Sequence, residues 1–167
     1  ATRLHGSPNL PSNDPGGRLH KARRGELFLT PPAGDEWDAT TRRFRFDPDE
    51  QVQRAVRLVF ERFRLDGSAY GVSRYFLRHG LQLPTRDPHR QLCWDKPGTA
   101  HVLRMLHNPV YAGAYVFGRT EERLALVDGK LRRRHRTTFA PDAWKTCLRD
   151  HHPADLPWEE FIANQQK

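Results

Sequence analysis

The side chains best suited to chemistry in this sequence are cations and neutral donors, and the chemistry they fit is recognition of a polyanion. Thr99, His101, Arg104 and His107 recur at spacings that place them along the outer side of one helix. Such donors reach phosphates or base edges in the groove of duplex DNA. A second set, Lys21, Arg23 and Arg24, lies in a dense basic run near the start. A third, Arg132, Arg133 and Arg134, follows an Asp128-Gly129 pair. Clusters of this kind neutralise phosphates and release counterions on binding. The bland alternative for each cluster is a solvated charged face.

Other chemistries fit less well. The chain has nine histidines and two cysteines. His151 and His152 are adjacent, which is neither the i,i+4 spacing nor the paired-cysteine pattern of a zinc site. No metal or cofactor is therefore expected. Cys93 and Cys147 have no recognisable base partner by spacing and read as structural. No glycine-rich phosphate loop occurs. Asp142, Asp150, Asp155, Glu159 and Glu160 are scattered acids, read as solvent-facing rather than as a metal-nuclease cluster. No catalytic residue is assigned, and the chain is not expected to cut DNA by itself.

The bulk numbers agree with a nucleic-acid partner. There are 28 basic and 20 acidic residues among 167, a net charge of +8, and the isoelectric point is near 10.1. That balance favours a polyanion, although excess charge also serves solubility. The expected location is the cytoplasm, at the nucleoid: no apolar run approaches spanning length, no signal-peptide pattern opens the chain, and the few cysteines suit a reducing compartment.

These side chains must be held by a small set of elements. Residues 1–17 read as a flexible tail rich in proline, glycine, serine and asparagine. Residues 18–47 read as a basic arm and a short hairpin, because Phe44 and Phe46 alternate with Arg43 and Arg45. Asp47-Pro48-Asp49-Glu50 predicts a helix start with Asp47 as the cap. Val52, Ala55, Val56, Val59, Phe60 and Phe63 then form a core stripe that Gly67 ends. Ser68 caps a second helix whose Val72, Tyr75 and Phe76 turn inward, and Gly80 stops it. Residues 84–98 read as a loop anchored by Trp94. A third helix runs from about Thr99 to His107, with Val102, Leu103 and Leu106 inward, and Asn108-Pro109 ends it. Residues 111–118 read as a strand, and Asp128-Gly129 as a two-residue hairpin turn. Alternation beyond that turn places Arg132 and Arg134 on one strand face. Three helices followed by a hairpin is the order of a winged helix-turn-helix. The long gap between the second and third helices makes the reading helix-turn-helix-like.

Residues 98–118, GTAHVLRMLHNPVYAGAYVFG, resemble a hallmark segment of the large serine recombinases. In that family a helix ends in Leu-x-Asn-Pro-x-Tyr-x-Gly, matched here by Leu106, Asn108, Pro109, Tyr111 and Gly113. Asp47-Pro-Asp-Glu-Gln, Gly67-Ser68, His79-Gly80-Leu81 and Trp94 resemble further pieces of the family's recombinase domain in the same order. Asp150-His-His-Pro153 and the segment from Trp158 to Gln165 look like its exit toward another DNA-binding region. The resemblance covers roughly 18–167. It implies duplex attachment-site binding, and relatives that carry a catalytic serine domain before this region and a zinc ribbon after it.

The expected fold is therefore α+β: a helix-rich, winged helix-turn-helix-like domain with short β-hairpins. It divides as a 1–17 tail, an 18–47 arm, a 48–150 recombinase-type DNA-binding domain and a 151–167 C-terminal extension. The expected function is sequence-specific binding of double-stranded DNA as the non-catalytic part of a site-specific serine recombinase, in integration, excision or inversion. Two alternatives stay open, a generic winged-helix regulator and a truncated, inactive remnant. The oligomeric state is open as well.

Overall fold

The computed structural model describes residues 14–167, and of residues 134 and 135 the backbone alone. Most of the expected tail, and the Arg134 side chain, lie outside what is described. The fold is α+β, with five α-helices and four two-stranded antiparallel sheets among the described residues.

The basic run near the start folds as α1 (Pro15–Arg23) although it shows no apolar period. Asp14 makes this possible, its carboxylate accepting from Gly16 and Gly17 N–H at 3.1 and 3.0 Å. Only Ala22 of α1 is buried. The expected hairpin follows as β1 (Asp35–Asp38) and β2 (Arg43–Phe46), with Trp37 opposite Phe44.

Helix α2 (Glu50–Asp66) starts two residues later than the sequence predicts, because Asp49 rather than Asp47 is its cap. Asp49 Oδ1 accepts from Gln51 N–H, while Asp47 Oδ1 accepts from Asp49 N–H and shapes the approach. Ser68 caps α3 (Ala69–Arg78) through Gly71 N–H at 3.0 Å. The left-handed Gly80, φ 63°, closes it. Gly80 N–H donates to Leu77 O and Leu81 N–H to Phe76 O, the paired bonds of a Schellman stop.

The stretch read as a loop at 84–98 contains a hairpin, β3 (Leu83–Arg86) and β4 (Leu92–Asp95). Arg86 fastens it: its guanidinium donates to Pro31 O at 3.0 Å and Asp35 O at 2.7 Å. No apolar alternation marks these strands, so nothing short-range reveals them. Helix α4 (Thr99–Leu106) follows. Its buried residues are Val102, Met105 and Leu106, whereas Leu103 is 42% exposed, correcting its expected inward position.

The segment expected as a strand from 111 begins as a 3-10 turn, Pro109–Ala112, because Asn108 Oδ1 accepts from Val110 N–H and caps it. Strand β5 is only Tyr115–Phe117 and pairs with the later β8 (Thr146–Leu148). Between them project β6 (Thr120–Val127) and β7 (Lys130–Thr138). Their turn residues Asp128 and Gly129 both have positive φ, 51° and 72°, as a two-residue hairpin turn requires. Helix α5 (Trp158–Asn164) ends the chain's elements.

The buried apolar residues form two clusters. One joins α2, α3 and α4 with Tyr111, Leu156 and Phe161. The other holds Ala22, Phe44, Val110 and Tyr115, with Trp37 and Leu148 beside them. Residues 151–167, read as an extension, contribute Leu156 and Phe161 to the first. Arg64 on α2 also pairs with Glu160 on α5 at 2.7 Å.

One buried acid costs the fold stability. Asp35 is 1% exposed, and neither of its carboxylate oxygens has a hydrogen-bond partner among the described residues. Burial first, then the carboxylate of Asp155, push its pKa up to about 8; Arg86 opposes the shift and Asp47 adds to it. The folded chain thus holds a proton that the unfolded chain releases near the ordinary carboxylate value. Stability from this group is fully present at low pH and declines as pH rises toward 8. His152 acts oppositely, because burial draws its pKa from 6.5 to about 4, and its stability contribution is lost as pH falls through that window. Above roughly pH 6.5 Asp35 dominates, with a limiting slope of about 1.4 kcal/mol per pH unit. Urea denaturation between pH 6.5 and 8 is expected to show wild-type stability falling while that of Asp35→Asn stays flat; parallel curves would remove Asp35 as the cause.

Candidate nucleic-acid interface

Helix α4 presents a narrow outer face. With Val102, Met105 and Leu106 buried, the opposite side carries Ala100, Leu103, Arg104 and His107, all exposed. Arg104 and His107 therefore stand in solvent as the sequence predicts. Thr99 and His101 sit on the flanks and are half-buried. Thr99 Oγ1 lies 3.3 Å from Ser73 Oγ on α3. Burial and the nearby Arg104 hold the His101 imidazole below its ordinary pKa, against Asp95. It borders a shallow cleft of about 240 Å³ that Arg104, Asn108 and Arg86 also line. Gly98 caps the helix without a side-chain hydrogen bond, so its first N–H groups face outward unclaimed by any described side chain.

The far end of α4 is tied down. Gln165 Nε2 donates to Leu106 O at 2.9 Å, and its Oε1 accepts from His107 Nδ1. Arg119 donates to His107 O at 2.7 Å, with its guanidinium 5.4 Å from the Trp144 ring centroid. Burial, with Arg136 second, lowers the Arg119 pKa, yet a guanidinium stays charged. A cation at a helix C-terminus also suits the helix dipole. Arg119 directly precedes β6, so it fixes the base of the β6–β7 arm to the end of α4. Sequence reading does not find this role for Arg119. Nothing short-range shows a side chain reaching back twelve residues.

The arm itself carries Arg132 and Arg133, both exposed. Arg133 pairs loosely with Glu122 at 3.4 Å. Arg132 has no ion pair among the described residues. Leu124 is opposite Arg133 and Arg123 opposite His135, so a bulge leaves Arg134 without a partner. The bulge interrupts the alternation that would put Arg132 and Arg134 on one face. Lys21, Arg23 and Arg24 are exposed on α1, with Arg24 paired to Glu26 at 3.0 Å. Helix α1 packs on β8. Among the described residues no hydrogen bond or ion pair joins α1 to α4. The structure thus links two of the three cationic sets, α4 and the arm.

The Recombinase family model matches residues 50–167. This chain belongs to the Recombinase family. It is also 36% identical over 160 residues to the uncharacterized protein y4bA/y4pH of Sinorhizobium fredii (strain NBRC 101917 / NGR234). That match covers 93% of this chain and 22% of the relative, so the chain spans about a fifth of that protein's length. No solved structure matches. No helix among the described residues is long and apolar enough to cross a membrane.

If Arg119 holds the arm to α4, its removal costs a charge-assisted bond and a stacking contact. Arg119→Ala is expected to lower unfolding free energy by about 1–3 kcal/mol in urea. Arg119→Lys should recover only part of that. An unchanged midpoint for Arg119→Ala would show that the tie contributes nothing.

Proposed function

We propose that this chain binds double-stranded DNA sequence-specifically, as the non-catalytic recombinase domain of a site-specific serine recombinase acting in integration, excision or inversion. The observation that carries the reading is the outer face of α4, where Arg104 and His107 stand in solvent on a helix fixed at its far end to a basic arm. A short helix with donors on one face fits a major groove, and a hairpin beyond it fits the flanking backbone. The order α2, α3, α4 and arm supports a winged-helix comparison with β6–β7 as the wing. The intervening β3–β4 hairpin makes it a variant of that design. Family membership supports a role in site-specific recombination, and the Asn108-Pro109-x-Tyr111-x-Gly113 segment supports the serine type.

In this reading Arg104 and His107 contact base edges, with Thr99 and His101 setting the helix against its neighbours. Arg132, Arg133 and Arg134 contact phosphates, and Lys21, Arg23 and Arg24 provide a separate backbone contact. Strand cleavage belongs to a catalytic serine domain, and a zinc ribbon adds a second binding module. The site of action is the cytoplasm, at the nucleoid.

Selection of bound duplexes from a random library, followed by affinity against salt, tests this. A recovered consensus and a steep salt slope are expected. Arg104→Ala should then lose about 1–3 kcal/mol and relax specificity at one position. Arg133→Ala should weaken all duplexes alike and reduce the salt slope by about one. Binding with no consensus would reject sequence reading, and no binding would reject the DNA partner.

A further inference from the structure

The β6–β7 arm carries an apolar face that its role as a phosphate clamp leaves unexplained. Leu126 and Leu131 lie directly opposite each other, one pair removed from the Asp128-Gly129 turn, and Leu124 lies two residues further down the same face beside Arg133. These leucines are 73%, 68% and 61% exposed. The opposite face mixes half-buried Ala125 and Val127 with exposed Lys130 and Arg132. A row of leucines at the end of a free hairpin is an unfavourable surface unless something covers it.

Charge and size identify the partner. Residues 119–138 contain seven arginines or lysines and three acids. Two such arms would repel each other, so a second copy is a poor occupant. A stable protein partner covers roughly 20–30 residues a side, far more than three leucines. A polyanion with an apolar interior satisfies both requirements, and that is stacked duplex DNA. Apolar side chains inserted between base steps unstack them and kink the duplex, with flanking arginines on the phosphates. Eight paired positions at about 3.4 Å each give the arm a reach of roughly 27 Å, enough to extend past the base pairs that α4 could contact.

We propose that Leu126 and Leu131, backed by Leu124, form a wedge that enters the minor groove of duplex DNA and bends it, while Arg132 and Arg133 hold the flanking phosphates. The inference rests on the DNA-binding reading above and adds a deformation that phosphate contact alone does not produce. Nothing in it requires a particular base sequence, because every step can be unstacked, at a cost that is lowest for flexible pyrimidine–purine steps.

The test uses the whole chain and a mixed-sequence duplex of kilobase length tethered to a bead. Bead excursion reads bending, and a gel-shift titration of the same DNA reads affinity. Wild type is expected to bind and shorten the excursion. Leu126→Ser/Leu131→Ser, changed at two exposed positions, is expected to bind with the same salt slope and lose the shortening. Arg132→Gln/Arg133→Gln is expected to lose affinity and lower the salt slope. Binding without shortening by wild type, or equal shortening by the serine variant, overturns the wedge and leaves DNA binding standing. No binding by wild type overturns both. Leucine-dependent flotation with phosphatidylserine vesicles but no duplex bending would replace the wedge with a lipid surface.

Discussion

The structure depends on how the backbone carbonyls between Pro109 and Gly113 are satisfied. This elbow lies between the two apolar clusters, sending Tyr111 and Ala112 into one and Val110 and Tyr115 into the other. The turn closes Val110 O and Pro109 O through the N–H groups of Gly113 and Ala114, but Tyr111 O and Gly113 O find no partner within it, and unpaired buried carbonyls are costly. Residues from 151 onward supply the partners. His152 Nε2 donates to Val110 O at 2.7 Å, Asp155 N–H to Tyr111 O at 2.8 Å, and His151 N–H to Gly113 O at 2.9 Å. Gly113 is required for the same reason: its φ is +75°, and an added Cβ would lie 2.9 Å from His152 O. The two histidines thus serve the backbone. The two rings also meet, His151 Nδ1 lying 3.0 Å from His152 Nδ1, and burial lowers both pKa values.

From the elbow the interface follows. The chain enters it from α4 and leaves it toward the arm, so both take their positions from one turn. The tyrosine hydroxyls extend its reach, Tyr111 donating to Ala33 O at 2.6 Å and Tyr115 to Leu27 O at 2.7 Å. These bonds draw the segment before β1 against the elbow. Arg86 ties the β3–β4 hairpin to that same segment through Pro31 and Asp35 carbonyls. Long-range bonds from polar side chains, together with the apolar cluster that holds Val102, Met105 and Leu106, therefore position α4. That suits a chain with only 37% hydrophobic residues.

What the sequence makes legible is what local physics controls. The α2 stripe from Val52 to Phe63, the Ser68 cap, the Gly80 stop and the Asp128-Gly129 turn each depend on residues a few positions apart. So does the end of α4 at Asn108-Pro109. What it hides depends on distance. Leu103 occupies an apolar position that the helical period assigns inward, yet the narrow contact of α4 leaves it in solvent. The β3–β4 hairpin is held by Arg86 reaching more than fifty residues back, which no window shows. Arg119 and Gln165 look like ordinary polar residues until the fold brings both to the end of α4. In the candidate interface, Arg104 and His107 were legible as outward-facing, while the partial burial of Thr99 and His101 depended on α3 and the β3–β4 hairpin.

The size of α4 then limits how a DNA site could be read. Eight residues span roughly 12 Å, and the outer face offers Leu103, Arg104 and His107 for base contact. Each good contact is worth about 1–3 kcal/mol of discrimination. Specific binding usually exceeds non-specific binding by about 4–10 kcal/mol. Three contacts sum to about 3–9 kcal/mol, which spans most of that range, and weakly formed ones leave a shortfall. The remainder must come from elsewhere on the protein, and phosphate contacts cannot supply it because they carry no direct sequence information. Deformation of the duplex can, since its cost varies with the sequence being bent. On the reading proposed above, a short helix fixed through Arg119 to a long arm would distinguish a few bases, while the arm would distinguish how readily the neighbouring steps open.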